Sequence, residues 1–385
     1  MRRQAKTRKQ PKVLMMETGG WGGIHYYAHA LCARLVECSV DLTLVTNQEY
    51  ELEELPRPFK RLSFFRRESY LRSIWRLKEI FCRERPDILH LQSLISQRKD
   101  LALLLLCRWM GIRVVMTVHN ILPHEVRPFE RYLYFLYYRL ADRLIIHSQH
   151  NCDALLEAFP TLEAQKIKVI AHGNYELFRS WEMPQAKARQ RLGLPADCTI
   201  VLFFGAIRPY KGLDLLLQAI RPVRHACPNA FFVVAGHVHT GTLATYQAQI
   251  EDLDLKTEDL LTCFEYLSTS DAIAYVCAAD LVVMPYRHIY QSGVVFWAYS
   301  FGRPVVAARV GSLPETVVDG ISGWLVDKED VDGLSNTMIK VISQPDLLET
   351  AGKNARQLAD DQYDWADIAV ETAALYDELT NGQSV

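Results

Sequence analysis

Arg208 and Lys211 stand three residues apart in the run Gly205-Ala206-Ile207-Arg208-Pro209-Tyr210-Lys211-Gly212, directly behind the apolar segment Thr199–Phe204. A guanidinium offers a planar fork and an ammonium a compact point charge, a pairing suited to a diphosphate. A second stretch with chemical potential follows Met284-Pro285-Tyr286, where a polar loop closes on Gln291-Ser292-Gly293 and hands over to apolar residues Val294 to Phe301 at helical density. The first N–H groups of a helix have no helical partner and meet the positive end of its dipole, so this junction is suited to an anion. A third is Thr18-Gly19-Gly20-Trp21-Gly22-Gly23-Ile24, behind the short strand Val13–Met16. Its spacing is not GxGxxG, which argues against a dinucleotide fingerprint. Gly22 and Gly23 would let a phosphate or sugar approach the backbone closely; a tight structural turn explains the same glycines.

His119 ends the strand-like run Arg113–Val118, at the edge where open α/β sheets place ligands. A role there and a packed, structural histidine both stay open, whereas His90, His147 and His172 read as structural. His237 and His239 form an HxH pair without a further ligand nearby, and Asp252-Leu253-Asp254 reads as a solvated helical face. No metal site is expected from either.

These residues are spaced by a βα rhythm. Apolar strand-like runs at Asp41–Thr46, Pro86–Leu91, Leu144–Ser148 and Ile167–Ile170 describe one Rossmann-like domain. Phe231–Ala235, Asp280–Met284 and Val305–Ala308 continue the rhythm after a polar linker at 176–195. The expected fold class is α/β, two doubly wound domains: a basic tail at 1–12, a first domain at 13–180, a second at 181–363, and a terminal amphipathic helix and tail at 364–385.

Composition bounds the function classes. The chain has 385 residues, 49% of them hydrophobic and 23% charged, which suits two globular domains. A net charge of −2 gives no global support to a nucleic-acid binder. Nine dispersed cysteines without CxxC spacing suit a reducing cytoplasm rather than a disulfide framework. The basic start has no apolar region behind it, so no signal peptide is expected. Leu101–Met110 is interrupted by Arg108 and falls short of the roughly 20 residues of a membrane span. The local exception to neutrality is a basic, aromatic stretch from Arg57 to Lys78, with Phe59, Lys60, Arg61, Phe64, Phe65, Arg66, Arg67, Tyr70, Arg72, Trp75 and Arg76 between. An interfacial membrane helix carries this mixture, and so does an ordinary solvated surface. Single-stranded nucleic acid is the third reading, opposed by the charge balance elsewhere. Tyr132, Tyr134, Phe135, Tyr137 and Tyr138 form a second aromatic run at helical spacing, suited to a core or an interface.

Taken together, GAIRPYKG, the GGWGG loop and the block SGVV–AYSFGRPVVAARVGSLPE–SGWLV resemble the glycosyltransferases of family 4, over about residues 12 to 380. The resemblance implies a GT-B fold, with two Rossmann-like domains facing across a cleft and the last helix crossing back to the first. It implies a UDP- or GDP-linked sugar donor held mainly by the second domain, transfer of a hexose with retention, and neither a metal nor a cofactor. Carried over, Arg208 and Lys211 fall on the donor diphosphate, His119 near the transferred sugar, and Gly22 and Gly23 on the loop approaching the donor phosphates or acceptor. Gln291, Ser292, Gly293 and Val294 fall on the loop meeting the donor sugar and phosphate; Gly205, Tyr266 and Glu315 complete the expected donor-binding set. The expected acceptor is lipid-linked or a polysaccharide precursor, met at the inner face of an anionic membrane by a cytoplasmic, peripheral protein without nucleic-acid partners. The family often carries two glutamates eight positions apart around this loop; counting back from Gly302 puts Ile289 and Trp297 there. Their absence keeps open a catalytically silent nucleotide-sugar-binding subunit; a nucleotide-sugar epimerase on the same fold is a further alternative.

Overall fold

The computed structural model describes residues 10–65, 70–93, 99–123, 128–239 and 242–381. The basic tail residues Arg2, Arg3, Lys6, Arg8 and Lys9, and the pair Arg66 and Arg67, lie outside the described residues. The chain forms two units, one running to Gly173 and taken up again at Trp365, the other Asn174–Asp364.

In the first unit, β1 (Lys12–Met16), α1 (Gly23–Glu37), β2 (Asp41–Asn47), β3 (Lys60–Phe65), α2 (Tyr70–Glu84) and β4 (Ile88–Leu91) come first. Then follow α3 (Lys99–Met110), β5 (Arg113–Thr117), α4 (Pro128–Leu140), β6 (Arg143–Ile146), α5 (Gln149–Ala158) and β7 (Ile167–Val169). The seven strands pair in the order β3-β2-β1-β4-β5-β6-β7, all parallel. Central strands covered on both faces need continuous apolar runs, and Val13, Leu14, Met15 and Met16 of β1 are all buried. The stretch read as one basic, aromatic surface is two elements, since Lys60–Phe65 is the edge strand β3. Phe59 is buried, and Arg57 and Arg61 both pair with Glu53 and lie against the Tyr50 ring.

The second unit contains α6 (Gln185–Leu192), β8 (Thr199–Phe204), α7 (Leu213–Ala226), β9 (Ala230–Ala235), α8 (Leu243–Asp252), β10 (Leu260–Cys263) and α9 (Thr269–Ala278). It continues with β11 (Leu281–Met284), α10 (Gly293–Ser300), β12 (Val305–Ala308), α11 (Leu313–Thr316), β13 (Gly323–Val326), α12 (Val331–Ile342) and α13 (Pro345–Gln362). Its strand order is β10-β9-β8-β11-β12-β13, again parallel. The core between sheet and helices is aliphatic and aromatic, with Phe203, Leu216, Ile220, Phe232, Val283 and Met338 fully buried.

α14 (Trp365–Thr380) returns to the first unit and packs on α1. Trp365 is buried edge-on to Tyr27, with ring centroids 5.0 Å apart. It fits because residue 173 is glycine: a Cβ there would stand 2.1 Å from Trp365 Cε2. Among the described residues no helix is long and apolar enough to cross a membrane.

Candidate active site

In each unit the first strand lies inside the sheet and the chain winds outward from it in both directions. The order therefore reverses between β1 and β4 in one unit and between β8 and β11 in the other. Loops leaving the carboxyl ends of such paired strands diverge and open a crevice, the usual ligand position in this kind of sheet.

In the second unit, the loop after β8 begins at Gly205, whose φ of +94° suits glycine. A 3-10 turn, Pro209–Lys211, follows, and Gly212, left-handed at φ +68°, turns the chain into α7. A Cβ on Gly212 would stand 2.0 Å from the Pro285 carbonyl oxygen, so this residue lets the β8 and β11 loops touch. Arg287 joins them: its N–H donates to Tyr210 O at 2.8 Å and its guanidinium grips both Asp214 oxygens at 2.8 and 2.6 Å.

These loops bring Lys211 and the α10 N-terminus together. Lys211 is 7% exposed, and its ammonium lies 5.5 Å from the centre of the Tyr286 ring. The point where a Gly205 Cβ would be lies 3.4 Å from Lys211 Nζ and 3.3 Å from Val294 Cγ2, so all three residues meet. Burial, aided by the neighbouring charge of Arg208, pushes Lys211 down to about 8. Two adjacent cations, one of them buried, repel each other until an anion joins them. Ser292 caps α10, its Oγ accepting from Val294 N at 3.3 Å, which satisfies one of the amides expected to face the ligand. Gln291 Oε1 and Ser312 Oγ are buried without a hydrogen-bond partner among the described residues. The loops carrying them adjoin: Ser312 N donates to Tyr290 O at 3.3 Å, and a Cβ on Gly311 would stand 1.8 Å from Ile289 O. Ser312 was not singled out in the sequence, because nothing in a serine's own spacing shows that its hydroxyl faces inward.

Trp297 explains the departure at the second expected glutamate. It is 5% exposed and lies in an aromatic stack, 4.7 Å from Tyr175, 5.2 Å from Phe178 and 5.8 Å from Phe301 by ring centroids. A carboxylate at this position would be buried among rings, at a large desolvation cost. Gly293 is fitted to the same stack, since a Cβ there would lie 2.7 Å from the Tyr175 hydroxyl. Glu315 sits exposed on α11, where its charge acts on Tyr363. Tyr266 is 54% exposed on the segment after β10, two strands away from β8.

In the first unit, the glycine loop is already occupied by its own chain. Glu17 is 2% exposed and accepts from the Gly19 amide, from Gly20 N at 3.0 Å, from Thr46 Oγ1 at 2.9 Å and from His25 Nδ1 at 3.0 Å. Burial acts to raise its carboxyl, but the His25 hydrogen bond and charge and the two amides together hold it below the usual range. Gly22 N donates to Glu51 Oε2 at 3.0 Å, and Gly23 is exposed at the head of α1. His119 lies just beyond β5 with both ring nitrogens engaged: Nε2 is 3.1 Å from Gln92 Oε1, and Nδ1 is 3.3 Å from His147 Nε2. Burial, and then the charges of His147, His172 and His90, push it well below the ordinary histidine range. His119, Gln92, Ser93, Thr117 and Tyr134 line a cavity of about 180 Å³.

The model of the glycosyl transferases group 1 matches residues 184–358, and that of glycosyltransferase family 4 matches residues 21–173. The chain belongs to this glycosyltransferase family. Among curated relatives, the D-inositol 3-phosphate glycosyltransferase of Streptomyces bingchenggensis is 32% identical over 63% of this chain and 54% of its own length. The protein of the same name from Mycolicibacterium smegmatis is 32% identical over 61% of this chain and 52% of its own. The chain thus spans about half the length of the curated relatives it matches. Among solved structures, HepE of Anabaena, crystallised with UDP and glucose, aligns with a TM-score of 0.79 at 20% identity, over 95% of this chain and 99% of that one. Sucrose-phosphate synthase from Thermosynechococcus elongatus aligns at 0.77 and 20%, over 97% and 100%. The two parallel sheets with flanking helices are the GT-B fold of these structures.

Proposed function

We propose that this glycosyltransferase moves a hexose from a UDP- or GDP-linked donor to an acceptor hydroxyl, the second unit holding the donor and the first the acceptor. The observation that carries the reading is the buried ammonium of Lys211 beside Arg208, at the switch point between β8 and β11 and in contact with the start of α10. As the bond from the anomeric carbon to the diphosphate breaks, its electron pair collects on the departing oxygen. Fixed cations there favour the transition state over the ground state, because the charge they meet grows along the reaction. The acceptor oxygen forms the new bond to the anomeric carbon, and its proton leaves with the diphosphate. Retention, which the family resemblance implies, requires attack from the face the diphosphate leaves. HepE, crystallised with UDP and glucose, supports a UDP-linked donor as the first to test. His119, whose ring nitrogens are both engaged, would serve as a neutral, fixed wall near the sugar.

The acceptor is proposed to be lipid-linked, on the strength of one surface. Trp75 on α2 and Trp109 on α3 are 64% and 75% exposed, and Lys78 lies between them, 5.2 and 5.9 Å from their rings. Phe129 and Tyr132 on α4 are exposed as well. Indole rings flanking an ammonium suit the boundary between head groups and acyl chains. The polysaccharide-precursor acceptor and the peripheral, cytoplasmic location are part of the same proposal.

The test is transfer from a panel of UDP- and GDP-sugars, with Arg208→Ala and Lys211→Ala each expected to lower kcat about 10²- to 10³-fold. Wild-type turnover in either variant would sink the assigned roles. The Trp297 stack favours one other reading, a silent binding subunit, which calorimetric donor binding without transfer or hydrolysis would establish.

A further inference from the structure

The engaged state of His119 is part of a longer chain of contacts inside the first unit. From one end, Tyr376 Oη of α14 lies 2.6 Å from His90 Nδ1; His90 Nε2 lies 2.8 Å from Thr117 Oγ1 and 3.2 Å from the Gln92 amide nitrogen. Gln92 Oε1 then meets His119 Nε2, His119 Nδ1 meets His147 Nε2, and His147 Nδ1 stands 3.0 Å from Ile170 O. His90 and His147 are buried, and burial pushes them down to about 3 and about 4, so each ring carries one proton at neutral pH.

The far end decides where those protons lie. A carbonyl only accepts, so His147 Nδ1 must carry the hydrogen and its Nε2 must be bare. His119 therefore donates from Nδ1, which leaves its own Nε2 as an acceptor facing Gln92. An acceptor there needs the NH₂ end of the Gln92 amide; the amide oxygen then turns toward His90 Nε2–H, which Thr117 Oγ1 also accepts at 2.8 Å, and the weak Gln92 N–H contact to Met15 Sδ is given up. His90 Nδ1 is left bare and accepts from the Tyr376 hydroxyl. The opposite amide orientation, with the oxygen toward His119, balances only if His119 or His147 holds a second proton, which the burial of both rings opposes. Side-chain amide orientation is decided by such networks.

We propose that Gln92 and Tyr376 are positioning residues that hold His119 in its Nδ1–H tautomer, with its ring fixed as a wall of the 180 Å³ cavity. The Ile170 carbonyl fixes the polarity of the chain through His147, the Gln92 NH₂ completes it at His119 Nε2, and Tyr376 anchors the opposite end from α14. The catalytic part of this inference rests on the function proposed above; the tautomer part does not.

The test is two-dimensional ¹H–¹⁵N spectroscopy of the full chain labelled on histidine nitrogen, with the His119 signals identified by His119→Asn. The expected wild-type pattern is a protonated Nδ1 and a bare Nε2 on His119. In Gln92→Glu the carboxylate only accepts, so His119 should become protonated at Nε2, the new negative charge offsetting the proton it gains, and kcat for transfer should fall about tenfold with donor KM unchanged. A wild-type His119 protonated at Nε2, or the same protonation in both proteins, would overturn the proposal. A changed protonation with normal kcat would overturn its catalytic part. Should Gln92→Glu not fold, Tyr376→Phe decides: the His90 Nδ1 signal should move to the position of an unbonded lone pair, and an unmoved signal would remove Tyr376 from the chain. Correct tautomers in a protein that transfers no sugar would uphold the positioning network while removing the function.

Discussion

A buried lysine next to an arginine gives up its proton early, and this makes Lys211 readable by pH. Its value is pushed down to about 8 by burial and by Arg208. A bound diphosphate would raise it, so binding above about 8 takes up a proton. Donor affinity should then be full below about pH 8 and weaken above it, by at most tenfold per pH unit. Calorimetry with UDP across about pH 7 to 9.5, in buffers of different ionisation enthalpy, measures both the affinity and the proton. Lys211→Arg keeps the charge and should flatten the profile; an unchanged slope in that variant would assign the titration elsewhere. Neighbouring residues show how much was visible beforehand. Two cations in a glycine-bounded loop are plain in a sequence. The meeting of Lys211 with Val294 is not, because it depends on a strand pairing between segments far apart in the chain. Trp297 was visible only as a missing glutamate; its partners Tyr175 and Phe178 come from the start of the second unit.

At the scale of elements, the loops after β8 and β11 act as one piece because Gly212 has no side chain. A Gly212→Ala variant combines a φ of +68° with a Cβ 2.0 Å from Pro285 O. It should destabilise the second unit by more than about 1 kcal/mol and weaken donor binding, both seen in thermal unfolding with and without UDP. Stability equal to the parent would show that the two loops move independently. The elements themselves were unevenly legible. Central strands such as Thr199–Phe204 and Phe231–Ala235 announce themselves as unbroken apolar runs, since both of their faces are covered. The edge strands β3, β10 and β13 did not. Lys60–Phe65 mixes charge with aromatics, and Leu260–Cys263 and Gly323–Val326 are four residues each, too short for a period to show. The glycine loop of the first unit stands at a strand's end, as its place behind Val13–Met16 indicates, but a buried glutamate filling it from within has no signature in residue spacing.

For the molecule as a whole, the first unit depends on a helix made after the second unit. Trp365, held against Tyr27 and over Gly173, is the anchor of that helix. Trp365→Ala should cost about 3–5 kcal/mol of first-unit stability, measured as a selective loss of its unfolding transition, while the second unit keeps its own. A single transition shifted as one would show that the two units unfold together. The return of α14 also sets a timetable. The second unit, Asn174–Asp364, is synthesised without interruption and holds all six of its strands within that span. The first unit has its seven strands once Val169 has been made, yet must wait for the residues from Trp365 onward. At about 5–20 residues per second, that wait is on the order of 10–40 s. On the ribosome, the domain begun first is therefore the one completed last, with the bare face of α1 exposed to chaperones in the interval.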